Sequence, residues 1–119
     1  MHASEPVVAI LHQAVPPVDH SGIVKAPKPG GYRDSGADIA FALRQAGVTV
    51  VTPEQWPGPA LDTGWTFPDT AAGIAAAVQA GATTLWANTV LFTGHPLEQI
   101  LGRVRIVGQI PAVVDRYDA

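Results

Sequence analysis

The chain has 119 residues, 47% of them hydrophobic and 14% charged, with a net charge of −3 at pH 7. That length and balance fit one packed domain with a sizeable core and exclude disorder along the whole chain. The mild acidity gives no electrostatic case for a nucleic-acid partner or an acidic membrane surface.

Cysteine is absent, which removes disulfides and thiolate metal ligands from consideration. No window reaches the run of about 18 apolar residues that a membrane span needs. The start, "MHASEPVVAILHQ", lacks the basic region of a secretory leader, so the sequence reads as cytoplasmic. Residues 1–6 read as a flexible tail, and the whole of 1–119 as a single domain.

"VVAILHQ" (Val7–Gln13) is a short, continuous apolar run, rich in β-branched residues, and predicts a buried strand. A long loop rich in proline and glycine follows over residues 14–36. "DSGADIAFALRQAG" predicts a helix, with Asp34 or Ser35 as its cap, Ile39, Ala40, Leu43 and Ala46 on one face, and Gly47 as its stop. "VTVVTP" (Val48–Pro53) predicts a second strand, and residues 53–69 a second long loop. Trp56, Trp65 and Phe67 in or beside that loop are expected to pack it onto the body or onto a neighbouring domain rather than to stack a ligand. "PDTAAGIAAAVQAGA" carries a helix start signal and ends near Gly81. "TTLWANT" (Thr83–Thr89) predicts a third strand, "HPLEQILG" (His95–Gly102) a short helix with Pro96 in its first turn, and "VRIVGQ" (Val104–Gln109) a fourth strand. "PAVVDRYDA" reads as the start of a further helix.

Strand–helix alternation of this kind predicts an α/β fold: a four-stranded parallel sheet with flanking helices in three layers, joined by right-handed crossovers. In such sheets ligands bind beyond the carboxyl ends of the strands, where the strand order reverses. A reversal beside the first strand would bring residues 13–35 and "ANTVLFTGH" (Ala87–His95) together across one crevice. The substrate-binding candidates are therefore Gly30, Gly31, Tyr32, Asn88, Thr89 and His95.

Each candidate has a structural alternative. Gly30, Gly31 and Gly36 lack the GxGxxG spacing of a dinucleotide loop, lie far from the first strand, and are not followed by the Gly-Lys-Ser/Thr of a P-loop. They form either a backbone cradle for an anion or a tight turn before an ordinary helix, and Asp34 as the cap favours the turn. His95, before Pro96, reads first as a helix cap and second as a substrate contact. His12 lies within reach of the crevice but reads first as a satisfied core histidine. No histidine–carboxylate spacing indicates a metal site, and no Gly-x-Ser-x-Gly elbow or Ser/His/Asp grouping indicates nucleophilic catalysis, so no catalytic residue is assigned.

Three stretches, "SGADIAFALRQAGVTVVTP", "FPDTAAGIAAAVQAGATTLWANTVLFTGHPL" and "VRIVGQIPAVVDRYDA", resemble the N-terminal region of ATP-grasp ligase-like proteins. In that superfamily a Rossmann-like pre-ATP-grasp domain precedes the ATP-binding subdomains. The resemblance covers roughly Val7 to Ala119, and "FPDT…GATTLWANT" is its most specific part. It implies a parent enzyme that activates a carboxylate as an acyl phosphate, which an amine or another nucleophile then displaces. ATP and Mg²⁺ would bind outside this chain, so no cofactor residue is carried over. The partners implied are the ATP-binding subdomains of the same parent and a small-molecule substrate. This chain alone is expected to be inactive, and dimerisation through a face exposed by truncation is left open. The other reading is a self-contained, flavodoxin- or Rossmann-like small-molecule binding module.

Overall fold

The computed structural model describes residues 5–16, 29–54, 64–89, 94–100 and 102–108. Within them the order is β1 (Val7–His12), a 3-10 turn (Pro29–Tyr32), α1 (Arg33–Gln45), β2 (Thr49–Val50), β3 (Phe67–Pro68), α2 (Ala71–Gln79), β4 (Thr84–Asn88), a 3-10 helix (Pro96–Ile100) and β5 (Arg105–Gly108). The final helix expected over residues 111–119 lies outside the described residues.

The sheet is parallel in every pairing and runs β2-β1-β4-β5. It has five strands rather than four. The additional one, β3, pairs with the second half of β1, Leu11 with Phe67 and His12 with Pro68, while β2 pairs with the first half, Val7 with Thr49 and Val8 with Val50. β2 and β3 are thus two pieces of one edge strand, separated in sequence by residues 51–66. Pro68 is tolerated there because an edge strand needs no ladder donor on its outer side.

Side-chain alternation along β1 builds the two cores. Val8 and Ile10 pack with Ala37 and Ala40 of α1, and with Val50 and Trp65. Ala9 and Leu11 face the other way, against Phe67, Ile74, Ala77, Leu85, Ala87 and Leu97. Helices therefore cover both faces of β1, which explains why its sequence reads as an unbroken apolar run.

The helix ends differ from the sequence reading in instructive ways. α1 starts at Arg33, two or three residues earlier than expected, and neither Asp34 nor Ser35 caps it: Tyr32 occupies the cap position in a left-handed conformation (φ 65°), with no side-chain cap. The Ser35 hydroxyl instead donates back to the Tyr32 carbonyl. α2 follows the expected pattern, with the Thr70 hydroxyl accepting from Gly73 N–H at 3.0 Å. The segment opened by Pro96 winds as a 3-10 helix of five residues and not an α-helix.

Trp65 is buried, with Phe41 edge-on to its ring at 6.2 Å and the Arg44 guanidinium 5.3 Å from its centroid. Arg44 also donates to the Val50 carbonyl at 2.9 Å, which ties the end of α1 to β2. Trp65 and Phe67 do pack this part of the chain onto the body, one into each core. Trp56 lies outside the described residues. No helix among the described residues is long and apolar enough to cross a membrane.

Candidate functional site

The strand order reverses at β1, with β2 and β3 on one side and β4 on the other. In parallel α/β sheets ligands bind beyond the carboxyl ends of the strands at such a reversal. His12 and Asn88 are paired in register there.

The glycine-bearing turn is fastened to this edge by backbone geometry. Gly30 lies in the 3-10 turn, and Gly31 adopts φ 58°. The Gly31 carbonyl accepts from Gln13 N–H at 2.8 Å, and a Cβ on Gly31 would overlap the Gln13 carbonyl oxygen. Only glycine combines that φ with so close an approach. From the opposite strand, Asn88 Nδ2 donates to the Tyr32 carbonyl at 3.0 Å and to the Ser35 hydroxyl at 2.9 Å. The expected meeting of the 13–35 segment with the end of the third predicted strand therefore takes the form of direct hydrogen bonds. Residues 90–93 of "ANTVLFTGH" lie outside the described residues.

Pleating separates the remaining candidates. Asn88 belongs to the α1 side of the sheet, whereas Thr89, the next residue, turns to the α2 side. There the Thr89 hydroxyl donates to Asp69 Oδ2 at 2.6 Å, and His95 Nε2 lies 2.8 Å from the same oxygen. Asp69 Oδ1 accepts from Ala14 N–H at 2.7 Å and Val15 N–H at 2.8 Å. Asp69 and His95 are essentially inaccessible, at 0% and 1% exposure, so this is a dry carboxylate with four donors.

The chemistry of His95 follows from its second nitrogen. Nδ1 accepts from the Leu97 N–H at 3.1 Å, so the ring proton sits on Nε2 and points at Asp69. His95 is a helix cap and an Asp69 partner at once, with both nitrogens engaged. Burial pushes the Asp69 carboxyl upward, but the bonds from His95, Thr89, Ala14 and Val15 outweigh it and hold the group below its ordinary value. Thr89 and His95 thus hold the sheet edge together from within, away from the crevice surface.

His12, at the end of β1, stays on the α1 side. Its Nδ1 lies 2.8 Å from the hydroxyl of buried Thr66. Gly36 makes room for this contact: a Cβ there would sit 2.8 Å from Thr66 Cγ2 and 3.5 Å from Asn88 Nδ2. Burial lowers the His12 pKa, the Arg33 cation lowers it further, and Asp69 offsets these effects in part. Burial and Arg33 thus both favour the neutral form of the His12 ring.

Asp69 was missed as a site residue because Pro68-Asp69-Thr70 reads as a helix start. The usable signal was the carboxylate's place immediately after an apolar residue in a buried setting, where a charge requires several donors. The different fates of Asn88 and Thr89 were available from the two-residue period of a strand.

A separate cleft of about 520 Å³ lies beside α2, lined by Thr52, Pro53, Phe67, Thr70, Gly73 and Ala76 among others. Among the described residues that line it, none is ionisable. Among the described residues no three His, Asp or Glu side chains gather as a metal-binding set, so none is assigned to Mg²⁺. Comparison with protein-family models, with curated proteins and with solved structures gave no match to this chain.

Proposed function

We propose that this chain is a small-molecule-binding α/β domain that takes its ligand at the carboxyl edge between β1 and β4, and that it serves as the substrate-side domain of a cytoplasmic ATP-grasp-type ligase. The observation supporting the binding part is the reversal of strand order at β1, with the Gly31–Tyr32 turn hydrogen-bonded to both diverging strands. The ligase part rests on the sequence resemblance described above. In this reading a carboxylate is activated as an acyl phosphate by ATP bound to other subdomains of the parent protein. Mg²⁺-ATP supplies the phosphoryl group and neutralises its charge. The residues of this chain position the small-molecule substrate and form one wall of its pocket.

The test compares the 119-residue chain with a longer protein that contains it. The chain alone should neither hydrolyse ATP nor bind it at micromolar concentration, while the longer protein does both. In that protein Gly31→Ala should raise KM for the acceptor more than KM for ATP. Micromolar ATP binding by the isolated chain overturns the ligase reading.

A stand-alone binding module is the second reading, favoured by one observation: the Gly31–Tyr32 turn is joined to Gln13 and Asn88 by direct hydrogen bonds within this domain. A ligand that raises the Tm of the isolated chain would support it, since binding stabilises by RT ln(1 + [L]/Kd).

A further inference from the structure

The two faces of β5 are finished unequally. Ile106 packs into the α2-side cluster, together with Ile100 and Val104 from the chain just before the strand. Arg105 and Val107 alternate with it and so belong to the α1 side. Val107 stands in register beside Trp86 of β4, which packs at the margin of the α1-side cluster. On that side α1 is the sole helix among the described residues, and it lies over β1 and β2. The β4–β5 half of the face has no described helix above it.

This strip has the chemistry of an interior. Trp86 and Val107 are half-buried. The Trp86 indole Nε1 is buried and has no hydrogen-bond partner among the described residues, whereas a buried tryptophan N–H normally finds an acceptor. Arg105, at the amino end of β5 on the same face, is exposed. An apolar strip therefore holds an unmet donor and ends in a cation.

A matching segment follows directly. Residues 109–119, "QIPAVVDRYDA", continue from Gly108. Ile110, Val113, Val114 and Tyr117 recur at the three- and four-residue spacing of one helical face, Asp115 lies opposite them, and Pro111 suits a first turn. A helix over 111–119 is about 13 Å long, which matches the length of about 13 Å of a four-residue strand such as β5. Handedness selects the face. A helix turning back from β5 over β4 travels in the same direction across the sheet as the β1–α1–β2 crossover, and the same right hand places it on the α1 side.

We propose that residues 109–119 form an amphipathic helix that docks on the β4–β5 strip beside α1, with Ile110, Val113, Val114 and Tyr117 over Trp86 and Val107. Running back along β5, the helix brings Asp118 to Arg105, and Gln109 supplies the first acceptor along the chain for Trp86 Nε1–H. The strip is thus a docking site for this chain's own segment and not for a second molecule. The ligand and ligase readings stand or fall separately from it.

The test is nuclear magnetic resonance of the ¹³C,¹⁵N-labelled 119-residue chain, with the Trp86 indole signals assigned by Trp86→Phe. Nuclear Overhauser contacts should join the Trp86 ring to the methyl groups of Val113 or Val114 and to the Tyr117 ring. Amide exchange over residues 113–117 should be slowed about tenfold or more relative to an unstructured chain. In a sample mixing labelled and unlabelled chains, the same contacts should be absent between molecules. Val113→Asp should lower the urea midpoint by about 0.5 M or more, with Asp115→Asn leaving it in place. The proposal is overturned if the segment makes no contact with Trp86, if it contacts Ile100 or Ile106 on the α2 side instead, or if the contacts arise only between molecules, which would make the strip a dimer interface. Equal losses for Val113→Asp and Asp115→Asn would also overturn it. The contacts are read on the unaltered chain, so no variant needs to fold for the central claim to fail.

Discussion

Asp69→Asn is the most searching perturbation of this domain, because it retains shape and removes only the charge at the centre of the sheet edge. The asparagine oxygen can take over the Ala14 and Val15 N–H groups. Its NH₂ then faces His95 Nε2–H, one donor against another in a fully buried site. The imidazole cannot relieve the conflict by moving its proton to Nδ1, because the Leu97 N–H already donates there. Leaving a buried donor unsatisfied costs about 1–3 kcal/mol, an appreciable share of the total stability of about 5–15 kcal/mol expected for a domain. With urea m-values of about 1–3 kcal/mol/M, the denaturation midpoint at pH 7 should fall by about 1 M. The effect should also depend on pH with a defined sign. The folded-state pKa of Asp69 is lowered, so its ionisation adds stability that is fully present above the ordinary value of 3.8 and is lost as pH falls through the lower folded value. The difference between wild type and variant should hold from pH 7 to about 5 and shrink below about 4. A loss under 1 kcal/mol, or a difference that does not change with pH, would refute the picture of a dry carboxylate held by four donors.

Three other substitutions probe how the edge is built. Gly31→Ala should cost about 1–3 kcal/mol, since alanine at φ 58° is strained and its Cβ overlaps the Gln13 carbonyl; thermal denaturation reads the loss, and a neutral result would mean that the turn does not lie against Gln13. Asn88→Ala removes two hydrogen bonds to the turn and should lower stability by about 1–2 kcal/mol, with faster amide exchange confined to the first turn of α1. Thr70→Ala removes the side-chain cap of α2 and should cost about 1 kcal/mol, while Thr70→Ser should restore most of it in the same urea titration.

Much of the fold was legible from residue pattern. The apolar runs at Val7–His12 and Thr84–Asn88 predicted the two strands that bracket the crevice. The spacing of Ile39, Ala40 and Leu43 predicted α1. What escaped was set by partners far along the chain. Phe67–Pro68 becomes a strand only because the second half of β1 offers it a ladder, and nothing local in a proline-rich stretch announces that. Pro96 was readable as a helix start, but not the 3-10 winding, for which His95 caps the first turn while also reaching Asp69.

The meeting of the glycine-bearing turn with the end of β4 was legible, and the fates of Thr89 and His95 less so. The sequence places Gly31, Tyr32 and Asn88 together, and the structure joins them by hydrogen bonds. His95 and Thr89 are drawn instead to a carboxylate that sits 26 residues away from His95 in sequence. Such a network depends on the final packing of three strand ends, which no short window contains. His12, read first as a core histidine, is held to the core through Nδ1 against the buried Thr66 hydroxyl.

The split edge strand has a consequence for protein engineering. Because β2 and β3 each find their register against β1 independently, residues between them can be lengthened without shifting either half. Glu54 N–H, 3.4 Å from the Gly64 carbonyl, closes the neck of that segment. Doubling the length of a chain segment between two fixed points costs only about 0.6 kcal/mol of closure entropy, so a peptide epitope inserted between Glu54 and Gly64 should leave the domain folded. The same position is the natural place to cut the chain into two fragments that reassemble, since each fragment would carry one half of the edge to the same template strand.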